Sequence, residues 1–281
     1  MSTGASTTKT LLIISGGEAS VEVARRAKDN GHAVVVSDAD PRAPAFAFAD
    51  SCLIADVHGV NETAAAAERY NRKIRKIDGV VCTADAILTA ATVADRLRLP
   101  GPPLHVAELA SDRLLIGRCF VSAGIAAPWQ AEIFTPQDLQ RAMIAKGRDL
   151  AVKPVENRGP DGVVPLAGVE DFNAAFQRAR FHSPSERVMV QQGLEGVRLH
   201  MAALVLNGVC HVAGSPEKPA ADALSRAASA LGITDGPLVG EIVMHQGVPH
   251  VVEISPRLGG FHDAATRLAL GEAVTPGQLG A

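Results

Sequence analysis

Glu241-Ile242-Val243-Met244-His245-Gln246-Gly247-Val248-Pro249-His250-Val251-Val252-Glu253-Ile254-Ser255-Pro256-Arg257 is the most informative run of the chain. It reads as a β-hairpin. With a loop over Gln246–Val248, Glu241 stands directly opposite Glu253, and Ser255 shares their face because alternate strand residues point the same way. Two like charges opposite each other in a sheet repel, and burying them uncompensated costs more. A divalent cation removes the conflict, and Mg²⁺ takes a few carboxylates together with phosphate oxygens. Arg257, just beyond the strand, is placed to neutralise a phosphoryl group in transfer. The alternative is a hairpin side that simply faces water.

Working outward, residues 11–103 alternate short apolar runs with helical stretches. Leu11–Ile14, Ala33–Val36, Ser51–Ala55 and Gly79–Cys82 read as strands, with helices at about 18–30, Glu62–Ile74 and Ala86–Leu97. Continuous apolar strands separated by helices predict a parallel sheet covered on both faces. Pro100-Gly101-Pro102-Pro103 is a stiff break and the first unit boundary. A second unit, 104–186, contains a helix at Asp112–Ala123, a helix capped by Thr135, strands at Asp149–Val155 and Val163–Leu166, and a helix at Val169–Ala179. A third unit, 187–281, is predicted from strands at Val188–Gln191, Leu199–Leu206, Val209–Ala213, Pro237–Met244 and Val248–Ile254, with a helix at Ala220–Leu231. Asn207-Gly208 is a two-residue hairpin turn signal. Residues 1–10 are polar and read as a disordered tail rather than a signal peptide.

Lys153 lies inside the apolar strand Leu150-Ala151-Val152-Lys153-Pro154-Val155, and only seven of the 27 basic residues are lysines. A strand lysine among apolar neighbours is costly unless it meets an anion. The following turn, Arg158-Gly159-Pro160-Asp161-Gly162, could turn backbone N–H groups toward phosphate; the alternative is an edge-strand lysine reaching water before an ordinary turn. No Gly-Lys-Ser/Thr follows, so it is not a Walker loop. Ser15-Gly16-Gly17 with Asp38 superficially suggests a dinucleotide site, but the full glycine fingerprint is missing and an NAD-dependent oxidoreductase is disfavoured. Thr83-Ala84-Asp85 ends the fourth strand, either as part of a substrate crevice or as a helix N-cap.

The totals exclude other classes. A formal charge of −3 argues against a nucleic-acid binder. No apolar run approaches the roughly 18 residues of a membrane span. Four separated cysteines (Cys52, Cys82, Cys119, Cys210) form neither a disulfide framework nor a zinc pattern, and fit reduced thiols in a cytoplasmic protein. Nine histidines are scattered without zinc spacing; His200, His211 and His262 are candidates for a substrate cleft. The alanine-rich stretch 61–67 offers a homodimer surface.

Glu241 together with Glu253-Ile254-Ser255-Pro256-Arg257 resembles the last metal-binding motif of ATP-grasp enzymes of the carbamoyl-phosphate-synthase-like, carboxylate–amine ligase branch, with Ser255 where that family usually has Asn. Lys153 and the glycine loop resemble its phosphate clamp, and Asp112-Arg113 its Asp-Lys helix. Val188–Gly196 resembles the strand lining the adenine pocket. The resemblance implies an α/β fold: an N-terminal Rossmann-like domain followed by a two-lobed α+β ATP-grasp domain. It implies ATP and Mg²⁺, with Mn²⁺ as a substitute. The implied metal ligands are Glu241, Glu253 and Ser255. Nucleotide contacts fall to Arg113, Lys153, Arg158, Gly159, Asp161, Gly162, Gln191, Gln192, Leu194 and Arg198, with backbone groups of Gln191 and Leu194 reading adenine. Arg257 and Lys153 would be catalytic. The implied activity joins a small-molecule carboxylate to an amine or thiol through an acyl phosphate. Arg198, Pro160 and Ser255 depart from the family pattern and favour the rival reading, a non-catalytic nucleotide-binding protein.

Overall fold

The computed structural model describes residues 8–147, 149–156, 161–214, 216–275 and 278–279. Of the expected tail, residues 1–7 lie outside the described residues, and Thr10 already begins the first strand. The N-terminal unit comprises β1 (Thr10–Ile14), α1 (Glu18–Asp29), β2 (Ala33–Asp38), β3 (Ser51–Ile54), α2 (Val60–Lys73), β4 (Gly79–Cys82) and α3 (Ile87–Leu97). Its parallel sheet has the order β3-β2-β1-β4. The central strand β1 is buried on both faces, which is why it reads as an unbroken apolar run. Leu12 and Ile14 pack under α2 and α3, while Leu11 and Ile13 face α1.

The alanines of α2 do not form an exposed dimer surface. Ala64 and Ala67 are buried in the core beneath the sheet, because small side chains let the helix lie close to the strands, and Ala66 is buried as well.

The chain continues through α4 (Leu104–Ser111), α5 (Arg113–Ser122), β5 (Gln130–Ile133), α6 (Pro136–Lys146), β6 (Leu150–Pro154), β7 (Val164–Pro165), α7 (Phe172–Phe181) and β8 (Val188–Gln192). These strands form a sheet of order β5-β8-β6-β7. The strand β8, which the sequence grouped with the third unit, is thus an interior strand of the second sheet, paired with β5 and β6. Alternation divides this sheet. Leu150, Val152, Val188 and Val190 enter the core under α6 and α7, while Lys153 and Gln191 share the opposite face. Thr135 caps α6 as expected, through a capping box with Asp138.

The last part contains β9 (Val197–Leu206), β10 (Val209–Val212), α8 (Lys218–Ala230), β11 (Gly236–His245), β12 (Val248–Ser255) and α9 (His262–Ala269), with sheet order β10-β9-β11-β12. One face carries Met201, Leu238, Ile242, Val251 and Ile254 into a core shared with α8 and with Val106, Ile116 and Phe120 of α4 and α5. Residues 104–122, which the sequence grouped with the second unit, therefore pack as α4 and α5 on this third sheet. The C-terminal segment returns to the N-terminal unit. Phe261, Ala264 and Ala265 join the core beneath β1 and β2, and Asp263 accepts hydrogen bonds from Arg26 and Asn30 at 3.1 Å each.

The hairpin β11–β12 differs from expectation in one respect. Its turn has two residues, Gln246 and Gly247, with φ of 49° and 79°, and His245 already pairs with Val248. Such a two-residue turn matches the twist of the strands. Continued without interruption, that ladder would set Glu253 opposite Gly240 and aim it into the apolar core. A register shift restores the alignment, so Ile242 faces Val251 while Glu241 faces Glu253. The extra residue of this β-bulge is Val252.

Candidate active site

The bulge places Glu241, Glu253 and Ser255 on the sheet face opposite the apolar core, and His200 of β9 stands opposite Glu241 on the other side. These residues line a cavity of about 450 Å³ together with Arg257. Glu253 also lines a smaller cavity with Arg113, Gln130, Lys153 and Gln191. The second sheet, β5-β8-β6-β7 (the small sheet), and the third, β10-β9-β11-β12 with its longer strands (the large sheet), therefore meet across one polar cleft, with Glu253 between its two parts.

Lys153 reaches the cleft from β6. Its Nζ donates to Gln191 Oε1 at 2.6 Å. Burial, and then the nearby Arg113 guanidinium, push the ammonium down to about 8, while Glu253 and Glu241 oppose that shift. Arg113, the first residue of α5, is buried. Its Nη1 donates to the carbonyls of Pro154 and Glu156 at 3.0 and 2.9 Å. The start of α5 is thereby tied to the end of β6, which holds Arg113 beside Lys153.

The carboxylate pair has partners of its own. Arg198 of β9 forms an ion pair with Glu241. The Ser255 hydroxyl donates to Asp85 Oδ1 at 2.6 Å, and Arg257 Nε lies 3.2 Å from the same oxygen. Asp85 follows β4, at the carboxyl end of the parallel sheet where β1 and β4 lie side by side. In open α/β sheets such a switch point is where ligands settle. Beside it, Ser20 and Thr83 hydroxyls are 2.6 Å apart. Asp85 does not cap α3, whose N-cap is Ala86. It ties the N-terminal unit to the Ser255–Arg257 segment, a link across 170 residues that no local sequence pattern announces.

Other expected contacts are distributed differently. Gln191 cannot offer its backbone to an adenine edge in the manner expected, because β8 is hydrogen-bonded between two neighbours; its side chain faces the cleft instead. Gln192 lies on the alternate face, and its N–H donates to Trp129 O at 2.9 Å. Leu194 is half-buried just beyond the strand, where the backbone leaves the sheet. Gly162 is buried with φ +80°, and a Cβ there would meet His182 at 2.7 Å and Pro154 at 2.8 Å, so it serves packing of the lobe. Asp161 is exposed. Arg158, Gly159 and Pro160 lie outside the described residues. His211 and His262 do not line the cleft cavities.

The architecture has counterparts among solved structures. A carboxyaminoimidazole ribonucleotide synthase from Aspergillus clavatus, in complex with ATP, superposes with a TM-score of 0.79 at 14% identity, covering 97% of this chain and 79% of the other. The chain has the ATP-grasp fold. An L-amino acid ligase from Bacillus licheniformis gives a TM-score of 0.75 at 21% identity, over 95% of this chain and 75% of that one. At the sequence level, 113 residues are 27% identical to a D-alanine–D-alanine ligase of Methylococcus capsulatus; the match takes in 40% of this chain and 36% of the relative's length. No family model matches the sequence. In this chain Lys153, Glu241 and Glu253 line the cavities between the second and third sheets.

The donor set suits a hard cation: two facing carboxylates beside a serine oxygen. Among the described residues no group of three or more His, Cys, Asp or Glu side chains converges as a cage. A Mg²⁺ ion held here would depend on phosphate oxygens for the rest of its coordination, as Mg²⁺ bound with nucleotides commonly does.

Proposed function

We propose that the chain is an ATP-dependent ligase that activates a small carboxylate and joins it to an amine or thiol. The observation that carries this reading is the charge arrangement of the cleft. A half-buried lysine on one sheet faces two carboxylates on the other, beside an arginine paired with Asp85 at the mouth of the N-terminal crevice. Mg-ATP supplies the phosphoryl group that turns a carboxylate into an acyl phosphate. Lys153 and Arg113 hold nucleotide phosphates, and Glu241 and Glu253 hold the accompanying Mg²⁺. Arg257, kept in place by Asp85, balances charge at the transferring phosphoryl group. The crevice at Thr83–Asp85 receives the substrates, and the lobes exclude water from the activated carboxylate. Leu194, just beyond β8, offers its backbone to the adenine.

A second reading, nucleotide binding without turnover, draws on two contacts. Arg198 occupies Glu241, and Ser255 commits its proton to Asp85. The two readings part on one experiment: carboxylate–amine and carboxylate–thiol pairs are screened for ADP release, with Mg-ADP binding measured by calorimetry. A pair that releases ADP in the presence of wild-type chain and not with the Glu253→Gln variant supports the ligase. Tight Mg-ADP binding with no release from any pair supports the non-catalytic reading.

A further inference from the structure

A second cavity, of about 350 Å³, adjoins Pro256 but shares no lining residue with the charged cleft. It runs along the edge strand β4, between α3 of the N-terminal unit and the returning helix α9. Its walls are apolar because of alanine placement. Ala90 and Ala94 are one helical turn apart on α3, and Ala265 and Ala269 one turn apart on α9, so both helices turn small side chains toward Val81 and Pro256.

Protein interiors are close-packed, with few voids larger than a water molecule. Apolar walls give water no hydrogen-bond partners, so a cavity of this kind stays dry or takes an apolar occupant. Its volume falls within the range of small-ligand pockets, roughly 300–1,000 Å³. The mouth is different in character. Gly101 and Asp235 are exposed there. The Asp235 carboxylate is oriented by accepting the Asn207 N–H at 2.9 Å, and it forms no ion pair among the described residues. An apolar chamber with one fixed negative charge at its opening selects for an apolar body carrying a positive end.

We propose that this cavity is a second small-molecule site, taking a ligand with an apolar body about the size of one ring and an ammonium group that meets Asp235. The site stands whether or not the cleft is a ligase centre. Its wall reaches the cleft through Pro256, which lies between Ser255 and Arg257 and whose carbonyl accepts the Cys82 thiol at 3.7 Å.

The test is titration calorimetry of 2-phenylethylamine into the full chain, with and without saturating ADP. The expected result is saturable binding of one molecule per chain that ADP does not compete away. The anion 3-phenylpropionate should bind roughly five- to tenfold more weakly, because Asp235 repels it. Ala90→Leu, which fills the chamber, should abolish amine binding and leave ADP affinity within about twofold; Ala94→Leu serves the same purpose if the first variant does not fold. Absence of saturable binding, displacement by ADP, equal affinity for amine and anion, or undiminished binding in a folded filled variant would each overturn the proposal.

Discussion

The two sheets that meet at the cleft are built alike and charged oppositely. Each buries one face under helices and turns the other toward the gap. The small sheet presents Lys153, supported by the neutral amide of Gln191. The large sheet presents Glu241 and Glu253 in register, with Arg198 drawn onto the first. The lysine is pushed down to about 8, first by burial and then by the nearby Arg113 guanidinium, against the pull of Glu253 and Glu241. The two faces are thus opposite in charge across the gap, and under the proposed function the phosphates of a Mg-nucleotide would meet the small sheet and its cation the large one.

The sharpest way to break this comparison is to remove a carboxylate without changing its size. Glu253→Gln should weaken Mg-ADP binding on the order of 100-fold, or about 2.7 kcal/mol, when measured by calorimetry. Unchanged affinity would mean that the acidic pair does not serve the nucleotide. Next in size is the lysine. Lys153→Met should lower nucleotide affinity roughly 30-fold at pH 7.

The same residue carries a pH dependence. Its ammonium, normal in the unfolded chain, is lowered in the folded protein, so between the two values the unfolded state binds more protons. The lysine's penalty on folding is fully present below about 8 and is relieved as pH rises toward its ordinary value. Lys153→Met should therefore raise the nucleotide-free Tm at pH 7, with the advantage shrinking by pH 10. Wild-type affinity for ADP should fall as pH rises through about 8, and that inflection should vanish in the variant. A melting series with matched titrations checks both signs.

Asp85→Asn probes the link between the N-terminal unit and the cleft. It should reduce ADP release about tenfold through a looser Arg257, while Mg-ADP affinity stays within about twofold. Equal loss of both would make Asp85 a structural support only. The smallest effect has the opposite sign. Arg198→Ala frees Glu241 and should tighten Mg-ADP binding about threefold; weaker binding would place Arg198 among the nucleotide contacts instead.

Much of the fold was legible because its signals are local. The apolar runs Leu11–Ile14 and Gly79–Cys82 lie in a parallel sheet that has to be covered on both sides, and β1 is buried on both. Asn207-Gly208 turns as its composition requires, with φ of 50° and 78°. The hairpin carboxylates were paired correctly from a loop one residue too long, and the bulge at Val252 supplied the missing shift. Arg113 was picked out by its motif, but nothing nearby in sequence reveals the Pro154 and Glu156 carbonyls that hold it.

The sequence by itself determined the alternation of strands and helices, the polar and apolar faces of each strand, and the acidic pair with its arginine. Those follow from side-chain periodicity and turn chemistry, which act over a few residues. Only the tertiary structure decided that β8 belongs inside the second sheet, that α9 closes the first, that Asp85 grips Ser255 and Arg257, and that alanines on two distant helices leave a chamber between them. The physical reason is range: strand order, helix docking and cavities depend on residues many tens of positions apart, brought together by burial of apolar surface that is blind to their order in the chain.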